Sequence, residues 1–369
     1  MPEVSHQAIA PARVVRGEGA WAEAVPSIPA LCSRPLLLGR SDATASIRHA
    51  LHRDLESLGL TVHQGFLAHD CCWQDLNRLS AELTTTGADA LIAVGGGKVL
   101  DAGKWLANHH HLPCITVPTS AATCAGWTAL SNIYSPQGAF EEDVALARCP
   151  DLLIFDHGLV RQAPVRTLAS GIADAMAKWY EASVSSASSG DGLIQQAVQM
   201  ARVLRDQLLL DAQTAFTNPG AEAWERVVEA CGLSAGVIGG LGGARCRTVA
   251  AHAVHNGLTQ LQACHGLLHG EKVGFGILVQ LRLEEVLAGN QLAAQARRQL
   301  FPFLRSLRLP VCCEDLGLAD ARYSDLQRAC AFACRAGSDL HHLPFPVAEA
   351  DLLAAMVSTT AGLPADIQA

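Results

Sequence analysis

Three residues on separate helix-like stretches of this 369-residue chain have the types that hold a divalent metal. Asp174 lies in Gly171-Ile-Ala-Asp174-Ala-Met-Ala-Lys178-Trp-Tyr-Glu-Ala182, surrounded by small apolar residues. A carboxylate buried in such surroundings needs a cation or hydrogen bonds. Ala250-Ala-His-Ala-Val-His255-Asn-Gly257 brings His255 to a helix end, and His269-Gly270-Glu-Lys opens another helix fourteen residues later. One carboxylate and two imidazoles suit Zn²⁺ or Fe²⁺ with positions left open for substrate. His252, three residues before His255, and His265 are further candidates, and spacing alone does not choose among these histidines.

A second group suits a nucleotide. The apolar run Ala90-Leu-Ile-Ala-Val94 leads into Gly95-Gly96-Gly97-Lys98-Val-Leu-Asp101. Glycines between a strand and a helix let backbone N–H groups approach a phosphate, and the helix dipole favours the anion there. Lys98 adds a charge, and Asp101 offers an acceptor to a ribose or nicotinamide group. The next strand ends at Pro118-Thr119-Ser120, with hydroxyls at the carboxyl end of a parallel strand, where ligands bind in open α/β sheets.

These groups need particular elements to hold them. Residues 35–39, 60–62, 90–94, 114–117 and 152–155 read as strands, alternating with helices over 42–58, 73–86 and 98–109. Strand–helix alternation predicts a mostly parallel α/β sheet. After Pro164 the pattern becomes helical, over 167–186, 191–217, 221–238, 248–260, 270–288, 291–307 and 322–336. The expected organisation is an α/β nucleotide-binding domain over 1–163 and an all-α domain, binding metal and substrate, over 164–369.

Composition narrows the function class. The chain is 50% hydrophobic and 17% charged, with a net charge of −8, which speaks against disorder and against nucleic acid or an anionic membrane as partner. No apolar run approaches the roughly 20 residues of a membrane span. The amino terminus lacks an apolar signal core, so a cytoplasmic protein is expected. The thirteen cysteines form no CxxC pair and read as reduced thiols.

GGGKVLD (95–101), PTSAAT (118–123), GIADAMAKWYEA (171–182), AAHAVHNGLT (250–259) and HGEKVGFG (269–276) resemble the glycerol dehydrogenase branch of the iron-containing (group III) alcohol dehydrogenases. The resemblance runs over residues 12–345 with the motifs in the same order. It implies the dehydroquinate synthase-like fold, with a dinucleotide domain, a helical domain and an active site in the cleft between them. It implies Asp174, His255 and His269 as metal ligands. It also implies that Gly95–Asp101, Thr119, Ser120, Thr128, Leu130 and Tyr134 line NAD(H) or NADP(H). Relatives assemble into dimers or octamers, so a homo-oligomer is expected.

Two departures from that branch point to a different substrate and cofactor. The acidic residue that contacts polyol hydroxyls is replaced here by Cys124, which weakens polyol recognition and removes repulsion against a carboxylate. At the end of the first strand, Arg40-Ser41 stands where an NAD-preferring member has an acid. Arginine suits a 2′-phosphate, which favours NADP(H). ATCAGWTALS, AKWYEA and GGLGGARCRTVAAHAVHNGL are similar to the bacterial hydroxycarboxylate dehydrogenase type.

The expected reaction is hydride transfer from NADPH to a small 2-oxo acid, with a divalent cation polarising the oxo group. His252 or His265 would relay the proton. Lys178, one turn beyond Asp174, and Arg245 are candidates for holding the substrate carboxylate, with a plain salt bridge from Lys178 to Asp174 as the competing reading. The alternative function is an NAD-dependent glycerol dehydrogenase. A related lyase acting on a phosphorylated substrate would need a basic cluster that the chain lacks.

Overall fold

The computed structural model describes residues 6–364. They divide into two compact units: residues up to Pro164 together with Gly232–Gly240, and Val165–Cys231 together with the residues from Leu241 onward.

In the first unit the elements run β1 (Arg13–Gly17), α1 (Ala20–Ala24), β2 (Pro35–Gly39), α2 (Ala45–Ser57), β3 (His63–Phe66), α3 (Trp73–Thr86), β4 (Ala90–Gly95), α4 (Gly97–His109), β5 (Cys114–Pro118), β6 (Leu130–Tyr134), β7 (Phe140–Ala145), β8 (Leu152–Asp156) and α5 (His157–Val160). Six strands form one sheet in the order β1-β8-β5-β4-β2-β3, every pair parallel. Both faces are covered, so the central strands are continuous apolar runs. Along β4, Ile92 and Val94 pack with α1 and α2 through Trp21, Leu51 and Leu55. Leu91 and Ala93 pack with α3 and α4 through Leu76, Leu79 and Leu106.

The strand order reverses between β2 and β4. From β2 the chain moves outward to β3, and from β4 it moves the other way to β5. Ligands bind at such a reversal, beyond the carboxyl ends of the strands. The ends there are Gly39 and Gly95, and Gly95 lies in register with Pro118 of β5.

This unit differs from the sequence reading at several points, the unanticipated edge strand β1 among them. The strand expected at 60–62 lies at His63–Phe66. The antiparallel pair β6–β7 was not anticipated, since Glu141, Glu142 and Asp143 give β7 an exposed, polar face. Gly232–Gly240 falls in this unit although the helical domain was expected to hold it. A Cβ on Gly236 would lie 2.5 Å from Cγ of Trp127, so the backbone there rests directly on the indole.

The second unit is helical: α6 (Val165–Ser185), α7 (Gly192–Thr217), α8 (Glu222–Glu229), α10 (Ala250–Leu258), α11 (His269–Leu287), α12 (Gln291–Ser306), α13 (Tyr323–Ala333) and α14 (Glu349–Val357), while α9 (Ala235–Gly242) belongs to the first unit as far as Gly240. The helix expected over 221–238 is two helices joined by a wide π turn at Ala230–Ser234. The core collects Val254 and Leu258 of α10, Phe275 and Val279 of α11, Cys330 of α13 and Met356 of α14. All thirteen cysteines are free thiols. Among the described residues no helix is long and apolar enough to cross a membrane.

Candidate metal centre and nucleotide edge

Helix α6 presents Asp174, Lys178 and Glu181 at i, i+4 and i+7, hence on one face. Facing them are His252 of α10 and His269, the first residue of α11. His252 Nε2 stands 3.3 Å and His269 Nε2 3.5 Å from the same Oδ1 of Asp174. Single donor atoms of Asp174, His252 and His269 lie within 4.8 Å of one another. Two imidazole nitrogens and a carboxylate oxygen at that spacing are the donor set of a zinc or ferrous site with open positions.

This grouping departs from the expected trio. His255 is buried beside the group, its ring tilted against that of His269 with centroids 4.2 Å apart, but its Nδ1 meets Asn256 Oδ1 at 2.8 Å and it is not among the three converging donors. His252 takes that place because Asp174 holds one ring nitrogen and Glu181 Oε2 the other, at 2.7 Å. His265 is exposed, with Nε2 3.0 Å from the Thr259 carbonyl oxygen, and does not join the group. The Arg245 side chain lies outside the described residues.

The charges in this pocket are strongly coupled. Burial pushes the Asp174 carboxyl up, but Lys178, with hydrogen bonds from His252 and His269, brings it well below the usual carboxylate range. Lys178 Nζ lies 3.6 Å from Asp174 Oδ1, so the salt bridge considered from the sequence is formed, and it also donates to the Arg247 carbonyl at 3.5 Å. Burial works against a charged His252, yet Glu181 and Asp174 raise it to about 9. Burial and neighbouring positive groups hold His255 well below its ordinary value; burial likewise lowers His269, against the pull of Asp174.

His269 reaches Asp174 because the start of α11 presses on α6. A Cβ on Gly270 would stand 1.8 Å from the Ser170 carbonyl oxygen, and the Gly270 N–H donates to Ser170 Oγ at 2.9 Å. Glu271 then accepts the Leu268 N–H at 2.7 Å and pairs with Arg166, which anchors the same helix start.

In the first unit the sequence-selected residues collect along the carboxyl edge of the sheet. Gly96 and Gly97 open α4 with no side-chain cap over the helix end. A Cβ on Gly97 would press to 3.2 Å on Thr123 Oγ1, so glycine keeps the turn clear for a phosphate. Thr119 donates its N–H to Gly95 O at 3.1 Å, joining the β5 end to this turn; Ser120 follows it.

Several of the other residues have partners within the unit. Asp101 is buried, paired with Lys104 at 3.0 Å and accepting the Asn132 N–H at 3.3 Å, so it ties α4 to β6. Burial raises its carboxyl above the usual range, against the pull of Lys104. Lys104 also donates to Thr128 O and Oγ1 at 3.0 and 3.1 Å and to Leu130 O, which sets Thr128 and Leu130 in place. Lys98 pairs with Asp70 and lies 4.9 Å from the Tyr134 ring centroid. Cys124 is half-buried in the loop after β5, where its carbonyl accepts the Trp127 N–H at 2.9 Å.

Arg40 is half-buried at the end of β2. Arg48 adds a second cation to that strand end: a Cβ on Gly39 would meet its Cδ at 2.2 Å, and its guanidinium donates to Ser41 O and Thr44 Oγ1 at 2.9 and 2.6 Å.

Sequence reasoning missed Glu181, Lys104 and Arg48. Glu181 carried a readable signal, since it lies seven residues beyond Asp174 on the same face. A third cluster, His69, Cys72 and Asp75, brings donor atoms within 4.8 Å at the start of α3. There Asp75 accepts the His69 N–H at 2.7 Å and pairs with Arg78, which ties the segment before α3 to its first turns.

The sequence signature of iron-containing alcohol dehydrogenases matches residues 11–157. An uncharacterized oxidoreductase of Synechocystis sp. is 51% identical over 95% of this chain and 91% of its own length. The glycerol dehydrogenase of Citrobacter freundii is 32% identical over 82% of this chain and 83% of its own. The chain belongs to the iron-containing alcohol dehydrogenase family. Within that family, hydroxycarboxylate dehydrogenase A of Escherichia coli is 34% identical over 79% of this chain and 80% of its own. The crystal structure of a probable glycerol dehydrogenase from Sinorhizobium meliloti superposes with a TM-score of 0.84, at 29% identity, over 97% of this chain and 98% of that one. The α/β-then-helical architecture is therefore that of this family, and the chain is an oxidoreductase of a class acting on alcohols.

Proposed function

We propose that this protein is a metal-dependent dehydrogenase interconverting small 2-oxo and 2-hydroxy carboxylic acids with NADP(H). The observation that carries the chemistry is the convergence of His252 Nε2 and His269 Nε2 on one oxygen of Asp174. Asp174, His252 and His269 would hold the cation, with His252 in place of the expected His255. Gly95, Gly96 and Gly97 with the start of α4 would hold the cofactor pyrophosphate, and Arg40 the 2′-phosphate. When bound, the cation supplies Lewis acidity to a substrate oxygen and the nicotinamide supplies or accepts the hydride.

The remaining work falls to the chain's own side chains. Lys178 keeps Asp174 ionised, the form that binds a cation, and its charge adds to the pull on a substrate carboxylate. His255 is held neutral by burial and by the positive groups around it, so it adds no charge that would repel a cation. Cys124, in place of an acid, leaves the substrate loop without a negative charge against an oxo acid.

The test is a pair of assays on purified, metal-analysed protein. Consumption of NADPH with 2-oxobutanoate or 2-oxoglutarate, faster than of NADH and abolished by chelation, is expected. Glycerol oxidation with NAD and no turnover of oxo acids would overturn the substrate and cofactor assignments. It would install the second reading, a glycerol dehydrogenase, which the Citrobacter freundii relative favours.

A further inference from the structure

The Glu181 carboxylate is completely buried, and its hydrogen-bond partners are N–H donors. Oε1 accepts two backbone N–H groups at the start of α10, from Val249 at 2.7 Å and His252 at 3.0 Å. Oε2 meets Nδ1 of the His252 ring at 2.7 Å. One carboxylate therefore holds both the backbone and the ring of the same histidine. Its partner ring nitrogen, Nε2, is the atom aimed at Asp174.

We propose that Glu181 is the positioning residue of the metal centre: it keeps the His252 proton on Nδ1 and so reserves the Nε2 lone pair for the cation. The inference rests on the metal reading given above. An imidazole has one nitrogen to ligate with only when the other carries the proton, and a carboxylate behind the ring fixes which is which. The double hold on the Val249 and His252 N–H groups fixes the ring's rotation axis as well. Asn256, by contrast, is a sequence neighbour of the histidine it touches and ties His255 to no other helix.

The change Glu181→Gln separates positioning from folding. A glutamine has one oxygen. If that oxygen stays on the two backbone N–H groups, its NH₂ faces Nδ1, which must then accept, and the ring proton moves to Nε2. If the amide flips, the NH₂ faces two N–H donors.

Zinc affinity of the whole purified chain, read by competition with a chromophoric chelator, is expected to fall about 10- to 100-fold in E181Q, with the far-ultraviolet circular dichroism unchanged. Wild-type affinity in E181Q overturns the proposal while leaving the metal site intact. Zinc binding by wild type no tighter than by D174N overturns the metal reading itself, and the proposal with it. Should E181Q fail to fold, ¹⁵N-histidine NMR of the zinc-loaded wild type decides, the His252 signals being identified by their loss in H252N. A protonated Nδ1 with a zinc-shifted Nε2 supports the proposal, and the reverse pattern overturns it.

Discussion

The two regions that sequence reasoning selected handle buried charge in opposite ways. Along the sheet edge, each charged group near the glycine turn has a partner of its own: Lys104 for Asp101 and Asp70 for Lys98. In the helical unit, Lys178, His252 and His269 all approach a single oxygen of Asp174. The first arrangement is self-sufficient and shapes a surface. The second gathers donors around one point, which is what a cation requires. Pairing builds a scaffold, and convergence suits the metal centre proposed above.

The change expected to separate the regions most is Asp174→Asn, which removes the oxygen on which the donors converge. Activity should fall by at least about 10⁴-fold, since the Lewis acid is lost with its ligand, while nucleotide affinity, read by fluorescence titration, stays within a factor of a few. A D174N enzyme that retains metal and activity would erase the distinction between the regions.

Lys104→Met is the mirror experiment. It leaves Asp101 buried without its cation, a loss of about 3–5 kcal/mol in stability, read by denaturant unfolding. Zinc affinity should not change, and a K104M protein that unfolds with unaltered midpoint would show that the paired edge does not depend on its pairs.

A third test uses pH on the metal-free protein. His252 is raised to about 9 from an ordinary 6.5, so its contribution is complete below pH 6.5 and disappears as pH rises toward 9. That window is worth on the order of 3 kcal/mol. Asp174 is depressed, so its contribution is present above about pH 4 and vanishes in acid. Unfolding midpoints should therefore fall from pH 6.5 to 9 without metal, and the fall should disappear in H252N.

The smallest expected effect lies at the sheet edge. Arg40→Asp should shift the ratio of NADP(H) to NAD(H) affinity by about tenfold toward NAD(H), the value of one charge-assisted contact. An unchanged ratio would hand the role to Arg48.

Much of this was legible in the sequence. The apolar runs of β2, β4, β5 and β8 and the glycine turn after β4 follow from local pattern. Asp174 and His269 could be chosen because each stands out within its own segment. His252 could not be separated from His255 in the same way. The two share one short helix, and what distinguishes them is contact with Asp174 and Glu181, some 70 residues away in the chain. Lys104 was invisible for a related reason, since its acceptors include carbonyl oxygens of a loop and of β6, which carry no side-chain signature. Strand β1, with its mixture of exposed and half-buried residues, gave no clean alternation.

The close approach of Gly270 to Ser170 has a consequence for how the gene can change. With a Cβ only 1.8 Å from a carbonyl oxygen, no other residue fits without displacing the start of α11, and His269 travels with it. Position 270 therefore has a single tolerated letter, although its own side chain does nothing. Drift at that codon does not weaken the donor set by degrees; it removes one donor in one step. His269 and Gly270 thus act as a unit, and a variant that loses the glycine must rebuild the contact between two helices before its histidine can reach Asp174 again.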